Sequence, residues 1–592
     1  MPAPLSRILD ARGATRVRIS PDQRWLCYVT DITGTPQLWR IDITGGMPRR
    51  LTFDCDRVGA YRISPDGARI AYGADAGGNE KWQLWVIDAD GAGARRLTER
   101  DDRIHHLRAW TADGRALLVH ANTRDPRYFD LWAHPVDGGA PRMLHRHDGT
   151  ASGATPLADG SVVVALNRRR GDEHELVLVT PDGASRRLTP DEPAARHEVV
   201  AAVPGGVIVL SDRDRDFVGL ATVALDGAFA WIVTADHDVE EARAAGHLDA
   251  YAVNIEGLSE LHLREGDHDE LMSALPAGCL ATDMIGDSLA LEGETVAVAW
   301  ARYGAPSTIF AGRRGEPMRE VVPPVMAGLA DDALPEARLV RWPTFDGREI
   351  PGFLLTPRGA SSAPRPTVIE VHGGPEGQAR PLWNPRTVAL VANGFNVLQP
   401  NVRGSTGYGK AYQALDDVRL RMDSVRDLDA AAAWLADAGI APAGKIGVMG
   451  QSYGGFMTLA AVAFFPERGW AAAVDVYGIA NFLTFFEHTD AWRRPLRAVE
   501  YGDPEQDRDF LVSISPITKL DAIRAPIMFI HGANDPRVPI GETEQIVAAL
   551  RAKGLEIDYL RYEDEGHSLA KAKNRADAYP KVLAFFQRHM AP

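Results

Sequence analysis

A self-similar unit recurs through the first half of this 592-residue chain, and it constrains the fold more than any other feature. Three copies open with a turn signal that leads into an apolar strand. They are Ile19-Ser20-Pro21-Asp22 before W-L-C-Y-V, Ile63-Ser64-Pro65-Asp66-Gly67 before A-R-I-A-Y, and Trp110-Thr111-Ala112-Asp113-Gly114 before A-L-L-V. A second element follows each, at Leu38-Trp39, Leu84-Trp85 and Leu131-Trp132, and the first two run on to R-R-L-T at 49–52 and 95–98. Fainter copies start near Leu176, Leu220, Leu261 and Thr308. Successive spacings from Leu38 to Leu84, Leu131, Leu176 and Leu220 are 46, 47, 45 and 44 residues. Several short strands per repeat at such a period mark a β-propeller, here with about seven blades between roughly residues 15 and 325. A β-sandwich or solenoid is the competing architecture. The recurrent tryptophans read as blade-packing residues.

The chain is too long for one core, so at least two domains are expected. Its net charge of −15 and pI near 5.6 argue against nucleic acid or an anionic membrane as partner. No apolar run approaches a membrane span. Cys27, Cys55 and Cys279 are too few and too scattered for a disulfide framework or metal site, and read as reduced core residues. No signal peptide is visible at the N-terminus. The composition therefore suggests a soluble, cytoplasmic protein, with homo-oligomerisation left open. Two features of the repeat half invite a functional reading. His105-His106 reads as a solvated pair on opposite strand faces. Glu240-Glu241 reads as a solvated patch, with capture of a substrate's free amino terminus as the alternative.

Pro323-Pro324 and the acidic stretch around Asp331-Asp332 suggest a crossover, which gives a propeller over 1–330 and a second domain over 331–592. After it, strands and helices alternate, the pattern of a doubly wound, mostly parallel sheet. Ser424-x-x-Asp427 reads as a capping box opening a helix through Leu435. Within this half, Gly450-Gln451-Ser452-Tyr453-Gly454 matches G-x-S-x-G between an apolar strand, K-I-G-V-M, and an apolar helix, G-F-M-T-L-A-A-V-A-F-F. A serine on so sharp a strand-to-helix turn presents its hydroxyl at the sheet's edge, as an α/β-hydrolase nucleophile does.

Such a serine needs a base, and the base needs a carboxylate to orient it. In this fold they follow in the order Ser, Asp, His on later strand-end loops. Asp535 lies just past the strand P-I-M-F-I, 83 residues after Ser452, and His567 lies 32 residues further on, past the next strand. Glu563, Asp564 and Glu565 are rival carboxylates on the histidine's own loop, and His531 is a rival histidine. An oxyanion hole needs two donors. One is expected from the Tyr453 N–H, and the other from His372-Gly373-Gly374-Pro375, past an early strand.

These residues resemble the prolyl oligopeptidase family of serine peptidases, and within it the acylaminoacyl-peptidase branch. The motifs are V-H-G-G-P (371–375), N-V-R-G-S-T-G-Y-G (401–409), G-Q-S-Y-G-G-F-M (450–457), H-G-A-N-D-P-R-V-P (531–539) and D-E-G-H (564–567). The resemblance implies a propeller followed by an α/β-hydrolase, with Ser452, His567 and Asp535 as the triad and the Gly374 and Tyr453 N–H groups as the oxyanion hole. It also implies short peptide substrates and no cofactor. Arg537 matches an arginine the family holds at the mouth of the site, and Glu80 a position that pairs with it. Three departures follow. The family's N-terminal helix would be short or absent. Glu240-Glu241 lacks the W-V-Y-E-E-like context of dipeptidyl peptidases, which disfavours dipeptidyl release. No motif fixes the pocket for the residue before the scissile bond: Phe482, Phe485 and Phe486 either line it or fill the helix core. An esterase or amidase using the same triad, and a propeller binding protein with an inactive hydrolase domain, are the alternatives.

Overall fold

The computed structural model describes residues 4–591, apart from 54–55, 168, 191, 273–274, 282–285, 331–333 and 362. Cys55 and Asp331-Asp332 therefore lie outside the described residues. Seven antiparallel sheets follow one another from Thr15 to Val322, six of four strands and a last one of five. They are the blades of a propeller. The phase of the sequence repeat is the third strand of each blade: Gln37–Asp42, Gln83–Asp88, Tyr128–Pro135, His174–Val179, Gly219–Ala224, Leu258–Glu265 and Ala305–Arg313.

The repeated side chains have a structural reason. The Ser20 hydroxyl donates to Asp22 and accepts the Trp25 N–H at 3.1 Å, and Ser64 and Thr111 do the same in the next two blades. The threonine of R-R-L-T accepts a third-strand N–H at 3.0 Å: Thr52 from Leu38, Thr98 from Leu84, Thr189 from Leu176. Each joins the fourth strand's end to the third. Among the described residues each blade is one contiguous stretch of chain, and no strand is shared between the first and last. Instead the ring closes on backbone bonds from Ala14 to Ser307 and Arg12 to Val325, over apolar packing of Val17, Leu26 and Tyr28 against Ala297, Ala299 and Ile309.

The second half builds one eight-stranded sheet. Its strands are β1 (Pro335–Pro343), β2 (Glu349–Pro357), β3 (Thr367–Val371), β4 (Asn396–Pro400), β5 (Ile446–Gln451), β6 (Ala473–Val476), β7 (Ile527–Gly532) and β8 (Asp558–Tyr562). Their order is β1-β2-β4-β3-β5-β6-β7-β8, antiparallel at β1 and β2 and parallel from there on. Six helices matter below: α1 (Leu5–Asp10), α2 (Pro385–Ala392), α3 (Arg421–Asp437), α4 (Tyr453–Phe464), α5 (Arg494–Tyr501) and α6 (Ala572–Met590). The N-terminal helix is short, as expected. It packs on the catalytic half, where Ile8 is buried against Val388 and Ala389 of α2. The capping-box expectation fails. Helix α3 starts three residues earlier, at Arg421, and Ser424 turns inward, bonding the Arg421 carbonyl at 2.7 Å and the Tyr453 hydroxyl at 2.8 Å. A buried arginine with distant partners overrides the local signal. No helix among the described residues is long and apolar enough to cross a membrane.

Candidate active site

Ser452 sits between β5 and α4 with φ +59 and ψ −121, a conformation L-residues rarely adopt. The two flanking glycines make the turn feasible. A Cβ on Gly450 would run into the Gly454 carbonyl, and one on Gly454 into the Val371 carbonyl of β3.

The loops after β7 and β8 bring Asp535 and His567 to this serine. The Ser452 hydroxyl lies 2.9 Å from His567 Nε2, and His567 Nδ1 lies 2.6 Å from Asp535 Oδ2. The other carboxylate oxygen, Oδ1, accepts the N–H groups of Arg537 at 2.8 Å and Val538 at 3.0 Å, which fixes the carboxylate plane. Both oxygens of Asp535 are therefore committed. The rivals are engaged elsewhere. Asp564 pairs with Lys571 and Lys573, Glu565 accepts from Ala570, Lys571 and Asn574, and Glu563 pairs with Arg561. His531 is fully buried on the other side of Asp535, between the Thr543 hydroxyl and the Val538 carbonyl.

Burial of the His567 ring lowers its pKa below the usual 6.5, with the Arg537 charge adding to the effect and the Asp535 charge opposing it. A general base works only when neutral, so activity is present above this pKa and lost as pH falls through it. The acid limb of kcat/KM is expected to have its midpoint below 6.5. A pH–rate profile with a midpoint above that value would mean that Asp535 outweighs burial.

The loop after β3 touches Ser452: a Cβ on Gly373 would lie 3.3 Å from Ser452 Cβ. The 401–409 motif holds this loop, through Ser405 on His372 Nε2 at 2.9 Å and Asn401 accepting the Ala379 N–H at 2.6 Å. Glu80 and Arg537 meet across the domain interface, with Arg537 Nε 2.8 and 2.9 Å from the two Glu80 oxygens. Arg493, which no sequence signal singled out, is a second partner at 3.0 Å. Burial raises the cost of the Glu80 charge, but the two guanidiniums more than offset it and lower its pKa.

Phe482, Phe485 and Phe486 are all buried, and Phe482 and Phe485 pack on Tyr501, whose hydroxyl donates to the Gly374 carbonyl at 3.5 Å. They pack behind the loop that carries Gly374. Two solvated-pair expectations are overturned. Glu240 forms a buried interdomain ion pair with Arg380, and Glu241 pairs with Arg243 at 2.7 Å while accepting two backbone N–H groups. Neither is left to meet an amino terminus. His105 is buried and His106 stacks on Phe129 beside Trp492. Glu240 and His106 are covered across the domain interface, by Arg380 and Trp492, whereas Glu241 and His105 are buried by neighbouring strands of the propeller itself, and no local signal shows either kind of partner.

The site lies under the propeller. The β-turn at Gly77-Gly78 of the second blade touches the loops that carry Asp535 and His567, with Asn534 Nδ2 2.9 Å from the Gly77 carbonyl and Gly566 packed so tightly on Gly78 that a Cβ there would clash.

Residues 383–592 match the profile described as "Prolyl oligopeptidase family". The chain is 26% identical over 589 residues to the dipeptidyl aminopeptidase BIII of Pseudoxanthomonas mexicana, covering 94% of this chain and 84% of that protein. It is 28% identical over 257 residues to the acylamino-acid-releasing enzyme 2 of Oryza sativa subsp. japonica, covering 42% of this chain and 33% of that one. A solved puromycin hydrolase shares the fold, with a TM-score of 0.85 at 20% identity over 97% of this chain and 94% of its own. The catalytic half of the chain, residues 383–592, thus carries the match to the prolyl oligopeptidase family, and the likeness to the dipeptidyl aminopeptidase extends over both halves.

Proposed function

We propose that Ser452 is the nucleophile, His567 the general base and Asp535 its orienter, in an exopeptidase that releases N-terminal residues, acylated or free, from short peptides. The observation that carries this is the unbroken Ser452–His567–Asp535 hydrogen-bonded chain. Ser452 Oγ attacks the scissile carbonyl while its proton passes to His567 Nε2, and the oxyanion forms against the Tyr453 and Gly374 N–H groups. His567 then gives the proton to the leaving amine as the C–N bond breaks, and water repeats the sequence on the acyl-enzyme. We assign Arg537, anchored by Glu80, to a substrate carbonyl. The restriction to short peptides is supported by the second-blade contacts on both catalytic loops. A cytoplasmic location belongs to the same reading, since Cys27 and Cys279 are buried free thiols.

Dipeptidyl release is a second reading, with one observation in its favour: the dipeptidyl aminopeptidase is a relative over 94% of this chain. Three p-nitroanilides separate the readings: alanyl, N-acetyl-alanyl and alanyl-alanyl. A highest kcat/KM on the acetylated substrate marks an acylaminoacyl peptidase, and on the free alanyl compound an aminopeptidase. A highest value on alanyl-alanyl marks dipeptidyl release. No turnover of any, by a protein whose Ser452 reacts with a fluorophosphonate, would overturn the exopeptidase reading and leave a small-molecule hydrolase.

A further inference from the structure

Arg421, at the start of α3, is wholly buried. A guanidinium there is costly unless most of its donors meet acceptors, and both terminal nitrogens of Arg421 do. Nη2 bonds the Glu500 carboxylate and, at 2.7 Å, the Glu500 carbonyl, while Nη1 bonds the Asp416 carboxylate and, at 2.9 Å, the Tyr453 hydroxyl. Tyr453 is the residue whose N–H faces the developing oxyanion. Its ring stacks on Tyr501 at 6.2 Å, and Tyr501 donates to the Gly374 carbonyl. Glu500 and Tyr501 are the last two residues of α5, and Arg497 of the same helix binds Glu376 of the oxyanion loop at 3.1 Å. One short helix thus supports both oxyanion donors.

The charges do not balance within the catalytic half. Oxygens of Asp416, Asp417 and Glu500 lie within 4.8 Å of one another. Arg421 supplies one positive charge. The second comes from the propeller: Arg170, on the loop between strands Val162–Asn167 and His174–Val179 of the fourth blade. Its Nη1 lies 2.7 Å from Asp417, and its Nη2 lies 2.8 Å from Glu500 Oε2 and 3.1 Å from Asp417. We propose that Arg170 is a positioning residue for the oxyanion hole: by neutralising Glu500 it keeps Arg421, and through it Tyr453, in place, so the hole is complete only while the propeller is seated. The proposal rests on the Ser452 reading above.

Without Arg170, three carboxylates surround one guanidinium. Either one takes up a proton and loosens its hold on Arg421, or Glu500 turns to solvent and draws the end of α5 with it. An interdomain ion pair that only binds the halves together would do neither. Arg341 with Glu256 is such a pair, partly exposed, and serves as the control.

The test is the rate of Ser452 labelling by a fluorophosphonate, resolved into kinact and KI from pH 6 to 9 on the full chain. Its phosphoryl oxygen uses the same hole, whatever the natural substrate. Arg170→Ala is expected to lower kinact on the order of tenfold with KI little changed, since small displacements of positioned donors cost this much or more. The deficit should shrink as pH falls, because one added proton replaces the positive charge that Arg170 provides. Arg170→Lys should recover most of the rate, and Arg341→Ala should match the wild type. Arg170→Gln, which keeps a donor to Asp417 without the charge, takes the place of the alanine variant if that one unfolds. A kinact within about twofold of wild type at every pH would overturn the proposal, as would an equal loss in Arg341→Ala or a loss confined to KI. If the wild type is not labelled at all, the serine-nucleophile reading fails and the proposal falls with it. If the wild type is labelled and Arg170→Ala labels equally fast, only the proposal fails.

Discussion

Ser452→Ala is expected to lower kcat on the order of 10⁶-fold on any substrate the enzyme turns over. The substitution removes one oxygen and little else. Alanine meets the same backbone penalty at φ +59 as serine, so the turn gains no relief, and the glycines that permit it are untouched. His567 loses one hydrogen-bond partner but keeps Asp535. The thermal midpoint should therefore move by no more than a few degrees. What remains of the rate would come from the oxyanion donors and substrate binding, roughly 10³–10⁴ over water. A stopped assay on freshly purified variant, with active-site titration to exclude wild-type carry-over, reads the loss. Retention of more than about a hundredth of the wild-type kcat would remove Ser452 from the mechanism.

Asp535→Asn is expected to cost on the order of 10⁴ in kcat with the structure intact. The geometry dictates why. Oδ1 accepts two backbone N–H groups, from Arg537 and Val538, so the amide oxygen of an asparagine must occupy that position. Its NH₂ then faces His567 Nδ1, where the carboxylate had accepted a hydrogen bond. A donor against a donor is untenable, so the imidazole adopts the other tautomer, with the proton on Nε2. That nitrogen can no longer accept from Ser452. The loss should appear in kcat at every pH where His567 is neutral. A loss below tenfold would show that the histidine's tautomer is set by something other than Asp535.

The order of events along the chain was legible without coordinates because each signal is local. The propeller announces itself through Ser20, Ser64 and Thr111, whose hydroxyls satisfy backbone donors five residues away, and through Thr52 and Thr98, which do so fourteen residues away. Short-range bonds of this kind leave a repeating imprint in the sequence. The elbow is legible in part for the same reason: Gly450 answers a steric demand made by Gly454, four residues on, although Gly454 answers one made by Val371 on the neighbouring strand. Asp535 and His567 were found by position, since parallel strands in a doubly wound sheet put their following loops on one edge.

The tertiary structure alone decided the fate of the charged side chains. Glu240 resembles any exposed glutamate until Arg380, 140 residues away, closes on it across the interface. Ser424 fits a capping box until Arg421 is drawn into the core and carries the helix start with it. Arg421 finds Glu500 79 residues later, and Arg170 finds the same glutamate 330 residues later. A hydrophobic period or a turn residue reports a preference of the backbone around it. A buried ion pair reports only that two opposite charges left water together, and that cost is met by whichever partner the folded chain brings within reach.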